Sequence, residues 1–270
     1  MITLHLLREL QLPVFAECIT PDSLRNRSVN EISDLRLYEG NRERKLTHLF
    51  KIDEVDSDHT AITIDGNVDK IRKIGARMTS GKIEIHGNAG MYLGEEMRGG
   101  KITVQGDAGS WAGSMMKGGT IEIHGNAGDY LAAPYRGSTE GMHGGEITVH
   151  GNVGNETAIH MKKGIIRVHG NAGQFLGFRM HDGTVFVQND CEARVGACMV
   201  GGKIIIGGAL ESVLPTFTID SVKSKVKVEG DEILSGPFYL FLGDLTEDGN
   251  GKLYVMKEKN SHLKSYEKYL

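Results

Sequence analysis

A repeat of 19 residues constrains the fold of this chain more than any other feature of its sequence. The motif G-x-I-x-I-x-G, or a close variant, recurs with spacings of 19, 19, 26, 19, 19 and 19 residues. Its copies begin at Gly81, Gly100, Gly119, Gly145, Gly164, Gly183 and Gly202, and a degenerate earlier copy covers residues 61–67. A period held over so many copies is typical of proteins in which each unit stacks on its neighbours. We therefore expect the copies to form consecutive layers of one stacked structure.

Each copy carries two apolar residues separated by one position, and nearly all of them are β-branched. The pairs are Ile62/Ile64, Ile83/Ile85, Ile102/Val104, Ile121/Ile123, Ile147/Val149, Ile166/Val168, Val185/Val187 and Ile204/Ile206. Alternation with period two is a strand signature, and parallel stacking would give each short strand its backbone partners. The sequence thus predicts an all-β protein whose residues 59–214 coil into a right-handed parallel β-helix of about eight rungs, roughly 4.8 Å apart.

Two further columns recur in the same register as the strands, and both are interpreted as structural. Seven of the eleven methionines precede a copy by three residues: Met78, Met97, Met116, Met142, Met161, Met180 and Met199. A soft-metal ladder is the alternative, but flexible thioethers commonly fill narrow cores, so packing is the preferred interpretation. Turn glycines follow the strands, including Gly87, Gly106, Gly125, Gly151 and Gly170, and beside them runs a column of Asn and Asp residues suited to turns and side-chain ladders.

The position after the second apolar residue holds a column of His and Gln side chains: His86, Gln105, His124, His150, His169 and Gln188. If the apolar pairs face the core, strand alternation places these side chains outward or into a corner of the stack. An exposed hydrogen-bonding ladder is the favoured interpretation, with a partner-contact stripe and a metal site as alternatives. The interleaved glutamines and the lack of carboxylates in the column argue against a metal. The sequence therefore predicts no catalytic residue, no cofactor-binding residue and no metal ligand.

Candidate partner contacts lie where the repeat is interrupted. Seven extra residues follow the third copy, and their tip carries Tyr135 and Arg136, residue types favoured at interfaces, although a tolerated loop is an equal alternative. Phe178 is an unusual aromatic, and Phe186 occupies an outward position held by polar residues in most other copies. These four residues are the candidate contacts of the sequence.

The two ends of the chain depart from the repeat. Residues 1–58 are expected to form a small α/β cap, with helix starts at TPDSL and at Ser28, a turn at YEGN and a strand at LFKI. Residues 215–270 are expected to form a short β extension of four strands, TFTID, KVKVEGD, PFYLFLGDL and KLYVM, followed by a charged tail that is helical or frayed. The DLTEDGNG segment is interpreted as a hairpin turn rather than a calcium loop.

Composition and missing motifs exclude several classes of function. The net charge of −4, without a basic stripe, argues against nucleic-acid binding, and the sequence lacks the roughly 18 apolar residues of a membrane span. Three cysteines without metal-ligand spacing favour a reducing, cytoplasmic location. A 19-residue period also differs from the multiples of six found in hexapeptide acyltransferases.

The repeated G-x-x-G-x-x-x-G pattern resembles the β-helical C-terminal domain of glutamate synthase large chains. The whole chain more closely resembles the C subunit of formylmethanofuran dehydrogenase, through AECITPDSL, YEGN, the G-x-x-M-x-x-G-x-I-x-I-x-G units, FLGDL and GNGKLYV. The resemblance implies a scaffold in a complex of methanogenic archaea that reversibly reduces CO₂ and fixes it as N-formylmethanofuran. It also implies partners: a catalytic subunit with a molybdenum or tungsten pterin and iron–sulfur clusters, an amidohydrolase-like subunit with a dinuclear metal site, and polyferredoxin-type subunits. The alternatives are the C subunit of a formyltransferase/hydrolase complex and an independent β-helical protein.

Overall fold

The computed structural model describes residues 1–55 and 58–270, and within them strands greatly outnumber helices. The strands are β1 (Ile2–Leu6), β2 (Val14–Phe15), β3 (Arg36–Glu39), β4 (Arg42–Lys45), β5 (Phe50–Glu54), β6 (Ala61–Asp65), β7 (Ile71–Arg72), β8 (Lys82–His86), β9 (Lys101–Val104), β10 (Thr120–Ile123), β11 (Glu146–Val149), β12 (Ile165–Val168), β13 (Thr184–Val187), β14 (Lys203–Ile206), β15 (Thr218–Glu229), β16 (Glu232–Gly243) and β17 (Gly251–Met256). The helices are α1 (Pro21–Leu24) and α2 (Val29–Ser33), with 3-10 turns at Leu46–His48, Leu245–Glu247, Lys257–Lys259 and Ser261–Tyr269. The prediction of an all-β fold is confirmed. No helix within the described ranges has the length and apolar content that crossing a bilayer requires.

The strands of the repeats lie side by side in one large, mostly parallel sheet. Its order is β15-β16-β17-β14-β13-β12-β11-β10-β9-β8-β6-β1-β5, so the repeat strands follow one another in chain order. Equivalent residues are paired throughout; Ile83, for example, lies opposite Ile102, which lies opposite Ile121 on β10. The seven-residue insertion leaves this register unchanged, because Ile121 pairs with Ile147 of β11. The paired strands predicted from the apolar pattern are confirmed.

The sheet also extends beyond the repeats at both ends, through strands that lack the motif. The N-terminal strand β1 pairs in parallel with β6, placing Ile2 opposite Ile62, and β5 then pairs antiparallel with β1. At the other end β17 pairs in parallel with β14 and places Leu253 opposite Ile204. Strands at LFKI and KLYVM were predicted from the sequence, whereas the strand at ITLHL was not. Both ends of the stack are therefore covered by segments from outside the repeat.

Backbone contacts join consecutive repeats at several places besides the strands. Parallel bridges form a second line through Val68, Ala89, Ala108, Ala127, Val153, Ala172, Cys191 and Leu210. The Asn/Asp column supplies a third. From Asn88 to Asn171, each side-chain oxygen accepts a hydrogen bond from the backbone N–H of the equivalent residue in the next repeat. The first two steps are Asn88 to Asp107 at 2.9 Å and Asp107 to Asn126 at 2.7 Å. The expected side-chain ladder is confirmed.

The core lies inside the stack and contains both members of each apolar pair together with the methionine column. All seven methionines of the column have no exposed surface. The first six each lie against the glycine that begins a later copy, and Met199 lies against Gly251 at the start of β17. A Cβ at Gly119, for example, would lie 2.7 Å from Met97 Cε. The interpretation of the methionine column as packing is therefore confirmed.

The N-terminal segment contains the predicted elements. Thr20 caps α1 by accepting a hydrogen bond from the Ser23 N–H at 3.1 Å. Ser28 and Glu31 form a capping box at the start of α2. The YEGN segment connects β3 and β4, which belong to a small second sheet of order β4-β3-β2-β7. Local capping and turn chemistry was therefore sufficient to place these elements.

The C-terminal segment differs from the expected series of short strands. TFTID and KVKVEGD form one strand, β15, of 12 residues, which pairs antiparallel with β16 of equal length. In the sequence the two segments have the patterns of two short strands, and it is the pairing with β16 that makes them one continuous strand. DLTEDGNG contains a 3-10 turn between β16 and β17, where the Asp244 carboxylate accepts hydrogen bonds from the Thr246 and Cys198 N–H groups. The tail forms 3-10 turns.

Candidate functional site

The His/Gln column lies on the exposed side of the large sheet, at the ends of the repeat strands. His86 Nδ1 lies 2.7 Å from an Asp65 oxygen and its Nε2 lies 3.1 Å from Glu84. The Asp65 contact, aided by Glu84, raises the pKa of His86 above its ordinary value. Gln105 donates to Glu84 at 3.2 Å, and His169 Nδ1 lies 2.8 Å from the Gln188 amide oxygen. The predicted hydrogen-bonding role is confirmed at these positions.

The middle of the column has a different arrangement. The imidazoles of His124 and His150 stack with ring centroids 4.8 Å apart and planes within 5°, and His169 continues the stack at 5.1 Å. The Glu122 carboxylate lies beside the first two rings. The inference from the sequence that no carboxylate accompanies the imidazoles of this column was therefore wrong. Glu122 is two residues before His124 on a strand, so both side chains lie on one face, and that spacing could have revealed the contact.

A second group of side chains, the aromatic face, consists of the half-buried Tyr92, Trp111 and Tyr130 and the exposed Tyr135 and Arg136. The Trp111 ring stacks on Tyr92 at 5.4 Å and on Tyr130 at 4.3 Å. The insertion brings Tyr135 to 5.6 Å from Tyr92, and the Arg136 guanidinium lies 5.7 Å above the Tyr130 ring. Rings stacked in this way present a rigid, amphipathic surface of the type favoured at protein interfaces.

Three members of this face, Tyr92, Trp111 and Tyr130, were not among the contacts predicted from the sequence. Each stands four residues after a member of the Asn/Asp column. Phe175 occupies the same position two copies later and meets Phe178 edge to face at 5.9 Å. Phe178 is half-buried beneath the Arg179 guanidinium, which lies 5.3 Å from the ring centroid. The recurrence of aromatics at one position of the repeat was the signal that could have identified them.

Phe186 does not lie on an exposed surface, which corrects its assignment as a partner contact. It faces away from the main core, as strand alternation requires, but it is only 6% exposed. The β15–β16 hairpin covers it, and Phe186 packs with Val226 and Phe238 in a second apolar cluster. The hairpin, which cannot be placed from local sequence, supplies the partner for this phenylalanine.

The thiols of Cys18 and Cys191 and the carboxyl group of Glu95 have little nucleophilic or ligand capacity, because burial favours their protonated forms. Burial raises the pKa of Cys18 to about 11 and that of Cys191 to about 12, so both thiols remain protonated near neutral pH. Burial also raises the pKa of Glu95, which has 1% of its surface exposed, against the opposing effect of the Lys73 ammonium at 3.2 Å. These groups have the properties of structural residues.

Comparison with known proteins relates the whole chain to subunits of enzyme complexes. A family model described as the GXGXG motif matches residues 34–228. The chain is 47% identical over 266 residues to the C subunit of the tungsten-containing formylmethanofuran dehydrogenase 2 of Methanococcus maripaludis, covering 96% of this chain and 98% of that protein. The C subunit of the molybdenum-containing formylmethanofuran dehydrogenase 1 of Methanothermobacter marburgensis is 42% identical over 85 residues, which are 32% of this chain and 21% of that protein.

A solved structure has the same fold over nearly its whole length. It is a chain in the crystal structure of the formyltransferase/hydrolase complex from Methylorubrum extorquens in complex with methylofuran. The TM-score is 0.85 at 28% identity, and the match covers 94% of this chain and 99% of that chain. The similarity thus includes both ends of the stack as well as the repeats.

Proposed function

Because the chain belongs to the family of formylmethanofuran dehydrogenase C subunits, we propose that it is the non-catalytic scaffold of such a complex. The complex reversibly reduces CO₂ and fixes the carbon as N-formylmethanofuran. In this proposal the tungsten or molybdenum pterin and the iron–sulfur clusters lie in a catalytic partner subunit. An amidohydrolase-like subunit with a dinuclear metal site performs formyl transfer, and polyferredoxin-type subunits deliver electrons, all in the cytoplasm.

The observation that supports this proposal most strongly is that the repeated side chains make contacts within the stack itself. The Asn/Asp column bonds one repeat to the next, and the methionine column fills the core. An iron–sulfur cluster requires about four thiolates, whereas the three free cysteines, Cys18, Cys191 and Cys198, all have pKa values raised by burial. The chain therefore has the chemistry of a rigid support, and its catalytic function is assigned to its partners.

We further propose that the repeats coil as a right-handed parallel β-helix of about eight rungs over residues 59–214, with residues 1–58 and 215–270 as its caps. The regular pairing of equivalent residues in the strands and along the second line of bridges supports this arrangement. A coil joined by backbone hydrogen bonds at several points in each turn would resist bending. Such stiffness would fix the distance between catalytic subunits bound to it.

The aromatic face, together with Phe178, is proposed as a contact surface for one of these subunits. Tyr135 is 36% exposed at the tip of the insertion, and its neighbour Arg136 donates a hydrogen bond to the Tyr130 hydroxyl at 3.0 Å. The stacked rings lose little side-chain freedom on binding because their neighbours already hold them. This surface combines large apolar area with a fixed positive charge, as interface anchors do.

The scaffold proposal is tested by affinity purification of the tagged chain from native cells, followed by assay of formylmethanofuran oxidation. We expect large subunits to co-purify with activity, whereas the isolated chain should show no turnover. Replacing Tyr135 and Arg136 by Ala should reduce co-purification. The control replaces Lys268 and Tyr269 by Ala. These residues form a second cation–ring pair, at 4.8 Å, on the C-terminal tail, and the control should retain co-purification. Turnover by the isolated chain would refute the scaffold proposal.

A second candidate is the C subunit of a formyltransferase/hydrolase complex, which the structural similarity to such a complex favours. The two candidates share a scaffold role and differ in their partners. A gene for a tungsten or molybdenum pterin subunit beside the gene for this chain would support the dehydrogenase. An independent β-helical protein, the third alternative, would purify without large partners.

A further inference from the structure

We propose that Glu122, His124 and His150 form a binding site for a divalent first-row transition-metal ion such as Zn²⁺. One ligand atom of each residue lies within 4.8 Å of the others. The three side chains come from two neighbouring repeats, so a bound ion would connect two strands of the large sheet. This site is additional to the scaffold role and does not depend on it.

The fold brings the three residues together through strand register. Glu122 and His124 are two residues apart and therefore lie on the same face of the sheet. Glu122 pairs with Thr148 and Ile123 pairs with Val149, so the next position along each strand places His150 beside His124. The result is a triangle whose corners are fixed by the backbone of β10 and β11.

The ligand atoms converge on one carboxylate oxygen. Glu122 Oε1 lies 3.4 Å from His150 Nε2 and 3.9 Å from His124 Nε2. Zinc binds imidazole nitrogen and carboxylate oxygen at roughly 2.0–2.2 Å, which separates tetrahedral ligands by about 3.3–3.5 Å. The Glu122–His150 distance already has this value. Because the His124 and His150 rings are stacked with their planes within 5°, both rings must tilt toward Glu122 for their Nε2 atoms to point at one ion. Both side chains are exposed and therefore free to do so, and water would complete the coordination.

The other carboxylate oxygen is held in place. Lys101 Nζ donates to Glu122 Oε2 at 2.8 Å, which orients the carboxylate and leaves Oε1 directed at the imidazoles. A carboxylate beside two imidazoles is a common set of ligands for zinc.

The remaining members of the column lack this convergence. His86 directs its two ring nitrogens at two different carboxylates, Asp65 and Glu84. The positions equivalent to Glu122 are Thr103 and Thr148 in the adjacent copies. The site therefore coincides with the pair of strands that the seven-residue insertion connects. A bound ion would hold these strands together across the longest connection within the repeats.

The test is calorimetric titration of the full, chelator-treated chain with Zn²⁺, together with the absorption spectrum after addition of Co²⁺. His124→Gln and His150→Gln place in the column the residue that Gln105 and Gln188 already provide, and Glu122→Thr copies its neighbours. His86→Gln is the matched control. Circular dichroism verifies that each variant is folded.

We expect one Zn²⁺ per chain, and each of the three variants should weaken binding by at least about tenfold, the lower limit for loss of a supporting partner. The control should bind like the unchanged chain. The thiols and the amino terminus are present in every variant. Weak Zn²⁺ binding at those groups therefore contributes equally to the variants and to the unchanged chain. Equal binding by the triple variant and the unchanged chain would overturn the proposal, and so would the absence of binding.

Discussion

Replacing Gly119 by Ala tests whether the repeats approach each other as closely as the structure shows. Gly119 begins the third copy with φ of +86°, a conformation that costs an L-residue about 1–2 kcal/mol. A Cβ there would lie 2.7 Å from Met97 Cε and 2.8 Å from the Gly100 carbonyl oxygen. The oxygen belongs to the backbone of the preceding repeat, so it moves only if the layers separate.

Gly137 provides a matched control in the same chain. Its φ is +89°, but a Cβ built on it has no atom within 4 Å. Gly137→Ala should therefore lower the free energy of unfolding by about 1–2 kcal/mol from the backbone alone. Gly119→Ala adds overpacking, which typically costs about 1–3 kcal/mol. The expected total for Gly119→Ala is about 2–5 kcal/mol.

Urea unfolding followed by circular dichroism gives both free energies, and the effect of Gly→Ala on the unfolded chain is common to the two variants. In thermal unfolding each kcal/mol should lower Tm by about 2–4 °C. The structure predicts that Gly119→Ala loses more stability than Gly137→Ala. Equal losses would refute close packing of the layers at this position.

Three further predictions concern burial. Asn260 is fully buried and joins the last repeat to the end of β17: its side chain accepts from the Leu210 N–H and donates to the carbonyls of Gly208 and Met256. Asn260→Ala should therefore lower the free energy of unfolding by about 2–4 kcal/mol in urea, and an unchanged midpoint would contradict this role. Because burial raises the pKa of Glu95 in the folded state, stability should fall as the pH rises from the unfolded-state pKa through the folded-state pKa. Glu95→Gln should remove that slope in unfolding curves measured from pH 4 to 8, and persistence of the full slope would assign it to other groups. Phe186→Ala should cost about 3–5 kcal/mol and the half-buried Phe178→Ala clearly less, an order that reverses if the hairpin does not cover Phe186.

The repeated part of the structure was predictable because the same residue type recurs at the same position in copy after copy. The pairs Ile83/Ile85 and Ile121/Ile123 share an alternation, and each copy confirms the register of the next. Met97 and Gly119 occupy fixed positions in the repeat because the side chain of one fills the space left by the other. A single 19-residue segment would not have identified either role.

The ends were harder to predict because their partners lie far away in the sequence. Ile2 has no motif around it, and its place in the sheet depends on β6, about 60 residues later. Phe186 was correctly placed on the outward face, but its burial depends on Val226 and Phe238 of the hairpin. The Glu122 cluster was accessible to reasoning, since residues two apart on a strand share a face, but the carboxylate was interpreted only as part of an outward polar position.

We propose that this chain is a stiff support which binds catalytic subunits and carries no reaction itself. Native mass spectrometry of the assembly purified through the tagged chain is the decisive experiment. We expect this chain in fixed stoichiometry with larger subunits, and we expect the pterin and iron–sulfur mass to depart with those subunits when the assembly is dissociated. A chain that is found without larger partners, or that retains the pterin or a cluster after dissociation, would contradict it.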